Sequence, residues 1–152
     1  MKIGYAFVPD DAAFVARATG KEIRVKSKDC WEVCAAVQGM MAEEAKKYLE
    51  SVLAKKAYIP QVKSKTQGGH KKGMSPAGFQ PVKSVDAVLG ILNSAIANAE
   101  FKGLEISNCE VISALAQRGR KMRRMKPKGR NAVFFSHLTN IQIVLQELPD
   151  KE

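Results

Sequence analysis

Acidic residues are missing from two long parts of this chain. No Asp or Glu occurs across residues 51–85, which carry seven lysines, or across residues 111–146, which carry eight Arg or Lys. The net charge is +10, and the two windows together carry +15, which leaves −5 for the rest. A solvated surface interleaves the two signs. Segregation of this size points to a polyanionic partner, nucleic acid or an anionic membrane surface, met by the two basic segments.

Other absences narrow the class. No stretch approaches the roughly 18–20 apolar residues of a membrane-spanning helix. The opening "MKIGYAFVPDD" lacks an apolar run of signal-peptide length, and two aspartates follow at once, so a cytoplasmic location is expected. Cysteines number three: Cys30 and Cys34 lie one helical turn apart and Cys109 stands alone. That spacing does not supply the CxxC-type pairs of a zinc site, and it suits buried thiols in a reducing compartment. The two histidines, His70 and His137, neighbour neither a cysteine nor paired carboxylates. The basic windows also lack the carboxylates of a metal-dependent nuclease. The chain does not read as an enzyme, and no cofactor, metal or small-molecule substrate is expected.

What is present begins with three helical periods. Cys30, Val33, Cys34 and Val37 recur at i, i+3, i+4, i+7, with Ser27 as the expected cap and Gly39 as the stop. Ala45, Tyr48, Leu49, Val52 and Leu53 form a second stripe, with Glu43 and Glu44 in its first turn and Lys55 and Lys56 in its last. A third runs from an expected Ser84 cap to Gly103, with Val85, Val88, Leu89, Leu92, Ile96 and Ala99 as its stripe. Strand patterns occupy "KIGYAFV", "CEVISALA" and "NIQIVLQE", the second alternating least cleanly. Trp31, Tyr48 and Phe101 are expected in the core; of Phe134 and Phe135, one should point in and one out, the outward one packing on a helix rather than stacking on a base.

The pattern predicts one α+β domain: three helices packed on a small antiparallel three-stranded sheet, with a long projecting β-hairpin. The hairpin spans about residues 105–147, its tip 117–131, and the body residues 1–110 and 136–152. Arms of roughly 20 residues would reach on the order of 65 Å, against a radius of gyration near 15 Å for a chain of this length. The tip, "QRGRKMRRMKPKGRN", holds eight cations in fifteen residues and no acid. It could be a disordered solvated run, but Gly119, Pro127 and Gly129 and the flanking strands favour a turned ribbon. Its arginines bridge phosphates and stack on bases, and Met122 and Met125 suit adaptable contacts. A second basic segment joins helices two and three. There "GGHKKG" lets backbone approach phosphates beside Lys71 and Lys72, although its spacing is not that of a Walker loop.

Together, "SKDCWEVCAAVQGMMAEEAKKYLESVL", "GGHKKG", "PVKSVDAVLGILNSAIANAEFKGL" and "QRGRKMRRMKPKGRN" followed by "IQIVLQE" resemble the archaeal and eukaryotic branch of large-subunit ribosomal protein number twenty-two. The eukaryotic relative is numbered seventeen. The resemblance implies a structural constituent of the large ribosomal subunit that binds large-subunit (23S-type) rRNA and takes part in subunit assembly. Its body would lie near the polypeptide exit, and its hairpin would line the nascent-peptide tunnel. Partners would be rRNA, the nascent polypeptide and neighbouring ribosomal proteins. Arg118, Arg120, Lys121, Arg123, Arg124, Lys126, Lys128 and Arg130 would contact RNA from the hairpin, and Lys63, Lys65, His70, Lys71 and Lys72 from the loop. Met122, Arg123, Arg124 and Met125 would form the tunnel-wall tip. The chain departs from the family where Phe79 and Gln80 replace an Arg-aromatic pair, and where the turn at Pro127, Lys128 and Gly129 is shorter. The alternative is a free-standing regulatory module with a β-ribbon in a DNA groove, although such ribbons are usually short and paired by a symmetric dimer.

Overall fold

The computed structural model describes residues 4–7, 12–63, 68–72 and 77–148. Along the chain run β1 (Val15–Ile23), α1 (Ser27–Val37), α2 (Ala42–Leu53), β2 (Ile59–Pro60), β3 (Gly78–Phe79), α3 (Val82–Lys102), β4 (Cys109–Met125) and β5 (Val133–Glu147). Three strands make an antiparallel sheet in the order β1-β5-β4, and β2 and β3 pair separately as a two-residue ladder. Side chains from all three α-helices join Ile141, Ile143 and Leu145 of β5 in one core. The domain is α+β.

The helices follow their apolar stripes. Cys30, Val33, Cys34 and Val37 are buried on α1; Ala45, Leu49 and Val52 on α2; Val85, Val88, Leu92 and Ala99 on α3. Gly39 and Gly103, both at positive φ, stop α1 and α3. The turn between α1 and α2 is then bonded to the root of β4, where Gly39 N donates to Val111 O and Val111 N to Met40 O, each at 2.9 Å.

The caps differ from the sequence reading. Lys26 and Pro81 precede α1 and α3, and neither helix has a side-chain cap. Ser27 is already helical, and Ser84 is buried in the first turn of α3, where its hydroxyl meets the Cys30 thiol. Lys55 and Lys56 fall beyond α2, which ends at Leu53. Phe101 is 93% exposed rather than in the core, because it lies outside the stripe that runs through Leu92, Ala95 and Ala99.

The third strand is not the expected one. Residues 2, 3 and 8 of "KIGYAFV" lie outside the described residues, and Gly4, Tyr5, Ala6 and Phe7 are not in a ladder. They lie over the sheet face opposite the helices. Gln142 fastens them there: its amide donates to Gly4 O at 2.8 Å and accepts from Ala6 N at 3.2 Å. The edge position belongs to β1, "VARATGKEI", whose alanines and glycine carry little strand propensity. Their smallness suits packing under α3. Ala16 and Ala18 are in the core, and a Cβ on Gly20 would stand 2.5 Å from Ile91 Cδ1.

The weak alternation of "CEVISALA" also has a structural cause. Val111 pairs with Leu145 but Ser113 with Val144, so β4 spends an extra residue at Ile112. This bulge moves the core-facing positions from Cys109 and Val111 to Ala114 and Ala116.

All three cysteines are free and buried. Burial pushes the Cys30 thiol up to about 11, partly offset by its hydrogen bond with Ser84, and the Cys34 thiol up to about 12. Cys109 also shifts upward, through burial first and the nearby Glu147 second. The folded protein therefore holds these protons after an unfolded chain has begun to release them near pH 9, and stability falls as pH rises above that value. A thiol titration at pH 8 should find no reactive cysteine in the native protein and three after denaturation. The fall in thermal midpoint between pH 9 and 10 should be shallower in Cys34→Ala.

Candidate nucleic-acid interface

The hairpin divides at Gln117. Up to Ala116, β4 alternates buried and half-buried residues; from residue 120 through residue 135 every side chain is exposed. The ladder nevertheless continues to Met125 opposite Val133. Between them residues 126–132 make the turn, with Lys128 at φ 67° and Gly129 at φ 65°. Left-handed backbone suits glycine and strains lysine, so the apex is held in a specific shape. Arg120, Lys121, Arg123, Arg124, Lys126, Lys128 and Arg130 all stand exposed on this arm. Met122, Arg123, Arg124 and Met125 occupy the last stretch of β4, just before the apex.

The arm sets two of its arginines opposite aromatic rings. Arg123 lies opposite Phe135 and Arg124 opposite Phe134. Directly opposed residues share a face and neighbours alternate, so each face of the ribbon carries one Arg–Phe pair. Both rings are open, at 47% for Phe134 and 48% for Phe135, where one was expected to pack on a helix. Among the described residues, no helix covers them. Cations interleaved with open rings bind phosphate and stack on bases at once.

Arg118 stands at the root. Its guanidinium lies 5.4 Å from the Trp31 ring centre, and the Trp31 indole N–H donates to Ala116 O. Trp31 is thus half-buried, a bracket between α1 and β4 rather than a core filler. Beside it β4 shifts register again, between Arg118 and Lys121.

The loop's basic residues sit apart from the arm. Lys63, His70, Lys71 and Lys72 are exposed, and Lys65 lies outside the described residues. Lys71 Nζ stands 4.9 Å over the Tyr58 ring. Lys63 helps line a recess with Trp31, Gln38 and Leu115, close to the hairpin root. The structure thus brings Lys63 beside Trp31 and leaves His70, Lys71 and Lys72 with β2 and β3, where Gly78 N donates to Gly69 O at 3.3 Å.

Glu32 is the residue that sequence reasoning missed. It is only 2% exposed, and its carboxylate accepts from Val62 N and Lys63 N, each at 3.0 Å. It fixes the start of the basic loop to α1. A lone Glu inside the otherwise apolar run "CWEVCAAV" was the available signal. A second omission is a basic cleft of about 650 Å³ walled by Arg24, Lys26, Lys28, Lys83 and Arg118, whose members are scattered along the chain. Among the described residues, no group of His, Cys, Asp and Glu is arranged to hold a metal, and no helix is long and apolar enough to cross a membrane.

With this geometry in view, the comparisons with known proteins are decisive. The family described as Ribosomal protein L22p/L17e matches residues 18–146. The chain belongs to that family. Among its relatives, the large ribosomal subunit protein uL22 of Archaeoglobus fulgidus is 36% identical, over 95% of this chain and 96% of that protein. The protein of the same name from Methanocella arvoryzae is 36% identical over 97% and 98%, and that from Methanosphaera stadtmanae 34% over 94% and 96%. Ribosomal protein L22p/L17e is a structural, non-enzymatic constituent of the ribosome.

Removing the Glu32 carboxylate leaves two loop N–H groups without their acceptor, a loss of about 1–3 kcal/mol. Glu32→Ala should lower stability by about that amount in a urea melt. Hydrogen exchange should quicken at Val62 and Lys63 while the β1–β5 amides keep their relative protection.

Proposed function

We propose that this chain, as a constituent of the cytoplasmic large ribosomal subunit, binds large-subunit (23S-type) rRNA as a body with a projecting arm. The body sits near the polypeptide exit and the arm lines the nascent-peptide tunnel. The observation that carries this reading is the arm itself. Over residues 120–135 no side chain is buried, no carboxylate occurs, and cations alternate with open Phe and Met side chains. Such a ribbon gains nothing from the protein's own core, and a two-stranded ribbon is at best marginally stable alone in water. Its groups find their partners in a cleft of packed RNA, where phosphates neutralise the charge and bases cover the rings.

The chemistry of the arm then divides. Arg118, Arg120, Lys121, Arg123, Arg124, Lys126, Lys128 and Arg130 contact phosphate, with Phe134 and Phe135 available to bases. Lys63, Lys65, His70, Lys71 and Lys72 hold RNA at the body. Met122, Arg123, Arg124 and Met125 form the tunnel-wall surface, where thioethers offer soft contacts to a passing peptide. The family's part in subunit assembly follows from the same binding, since an arm threaded through RNA fixes segments that are distant in the RNA sequence.

Affinity for a large-subunit rRNA fragment should fall steeply with salt. If eight phosphates are contacted, log K against log salt has a slope of about −6 to −7. Arg123→Gln with Arg124→Gln should make that slope shallower by about 2 and leave the circular dichroism spectrum and melting temperature unchanged. A flat titration would remove the proposal, and unfolding of this variant would mean that the arm is packed.

A further inference from the structure

The basic cleft at the hairpin root is a separate feature from the arm's tip. Its walls come from the segment Arg24, Val25 and Lys26, from the first turn of α1, from Lys83 in the first turn of α3, and from Arg118, Phe135, Ser136 and His137 of the hairpin. Five of these side chains are cationic, and Asp29 is the only carboxylate among them. Among the described residues none of Arg24, Lys26, Lys28 and Lys83 joins an ion pair; the one ion pair present is Lys47 with Glu43. Like charges around one concavity repel each other, and an anion inside it relieves all of them together.

The geometry is prepared for such an anion. The volume, about 650 Å³, lies within the range of sites that enclose small ligands. Arg118 is held against Trp31 and does not have to be ordered on binding. The first turn of α1 carries no side-chain cap, so its free N–H groups add positive potential to that of the cations. Phe135 supplies a half-open ring at the rim. Phosphate donors around a hollow and a stacking platform beside it match a sharply turned, single-stranded polynucleotide, in which phosphates turn inward and a base unstacks.

We propose that this cleft holds a turn of single-stranded RNA, with phosphates on Arg24, Lys26, Lys28, Lys83 and Arg118 and one unstacked base on Phe135. The inference rests on the RNA-binding reading above and adds a second site to it. It also assigns the cleft a mechanical role. One wall belongs to the helical body and the other to the hairpin, so RNA seated there fixes the direction in which the arm leaves the body.

Trp31 is the only tryptophan in the chain, and through Arg118 its fluorescence reports on this cleft. The full chain is titrated with tetrauridylate at several salt concentrations. Lys26→Gln/Lys28→Gln/Lys83→Gln is compared with Arg123→Gln/Arg124→Gln, each checked by circular dichroism. Lys83→Gln alone serves if the triple variant fails to fold. The triple variant should weaken the Trp31-detected binding about tenfold and make the salt slope shallower by about 2, the single variant by about 0.7. The arm variant should weaken the Trp31-detected binding clearly less than the triple variant does, since neither Arg123 nor Arg124 lines the cleft. Wild-type affinity in the cleft variant, or loss confined to the arm variant, overturns the cleft site while leaving RNA binding in place. A salt-independent response of the wild type, or none, overturns both.

Discussion

Everything in this fold depends on β5 being buried on both faces. Residues 141–145 are all buried, flanked by β1 on one edge and β4 on the other. Ile141, Ile143 and Leu145 receive the helices, and Gln142 on the opposite face is covered by Gly4 and Ala6. A central strand of this kind fixes the register of both neighbours, since a one-residue slip would exchange its aliphatic row for Asn140, Gln142, Val144 and Gln146. The hairpin inherits its direction from that register. Its outer half is the continuation of two strands whose inner half is locked in the core.

Charge decides where the locked part stops. On β4 the change comes between Ala116 and Gln117, and beyond it arginines and lysines replace the small apolar residues. A row of like charges cannot be buried in protein without counterions, so the strands run out from the body instead of folding back over it. The acidic residues remain in the body, one of them turned to structural use where Glu32 ties the loop to α1. Charge segregation therefore shapes the molecule and its function together: the part that cannot pack on itself is the part that RNA can pack around.

Much of this was legible in the sequence because it rests on periodicity and composition. The three helices follow from their stripes, and the hairpin from paired strand patterns around an acid-free block. The failures share a different cause. The edge strand β1 was overlooked because Ala16, Ala18 and Gly20 serve a helix that packs close above them, and small residues do not advertise a strand. "KIGYAFV" was misread because its alternation fits a strand, whereas two hydrogen bonds from one glutamine hold its described part across the sheet face. Phe101 was given to the core and one of Phe134 and Phe135 to a helix on residue type, although position leaves all three in the open. Glu32 and the cleft at the hairpin root depend on tertiary proximity, which no local pattern carries.

The central claim is that the arm beyond Gln117 draws its order from RNA rather than from the protein. Hydrogen exchange, compared between the free chain and the chain assembled in large subunits, tests it most directly. The account predicts that in the free chain the amides of residues 109–117 and 139–147 are protected with the core while those of residues 120–135 exchange far faster. In the assembled subunit both sets should be protected. Core-like protection of residues 120–135 in the free chain, or fast exchange of the same residues within the subunit, would contradict the account.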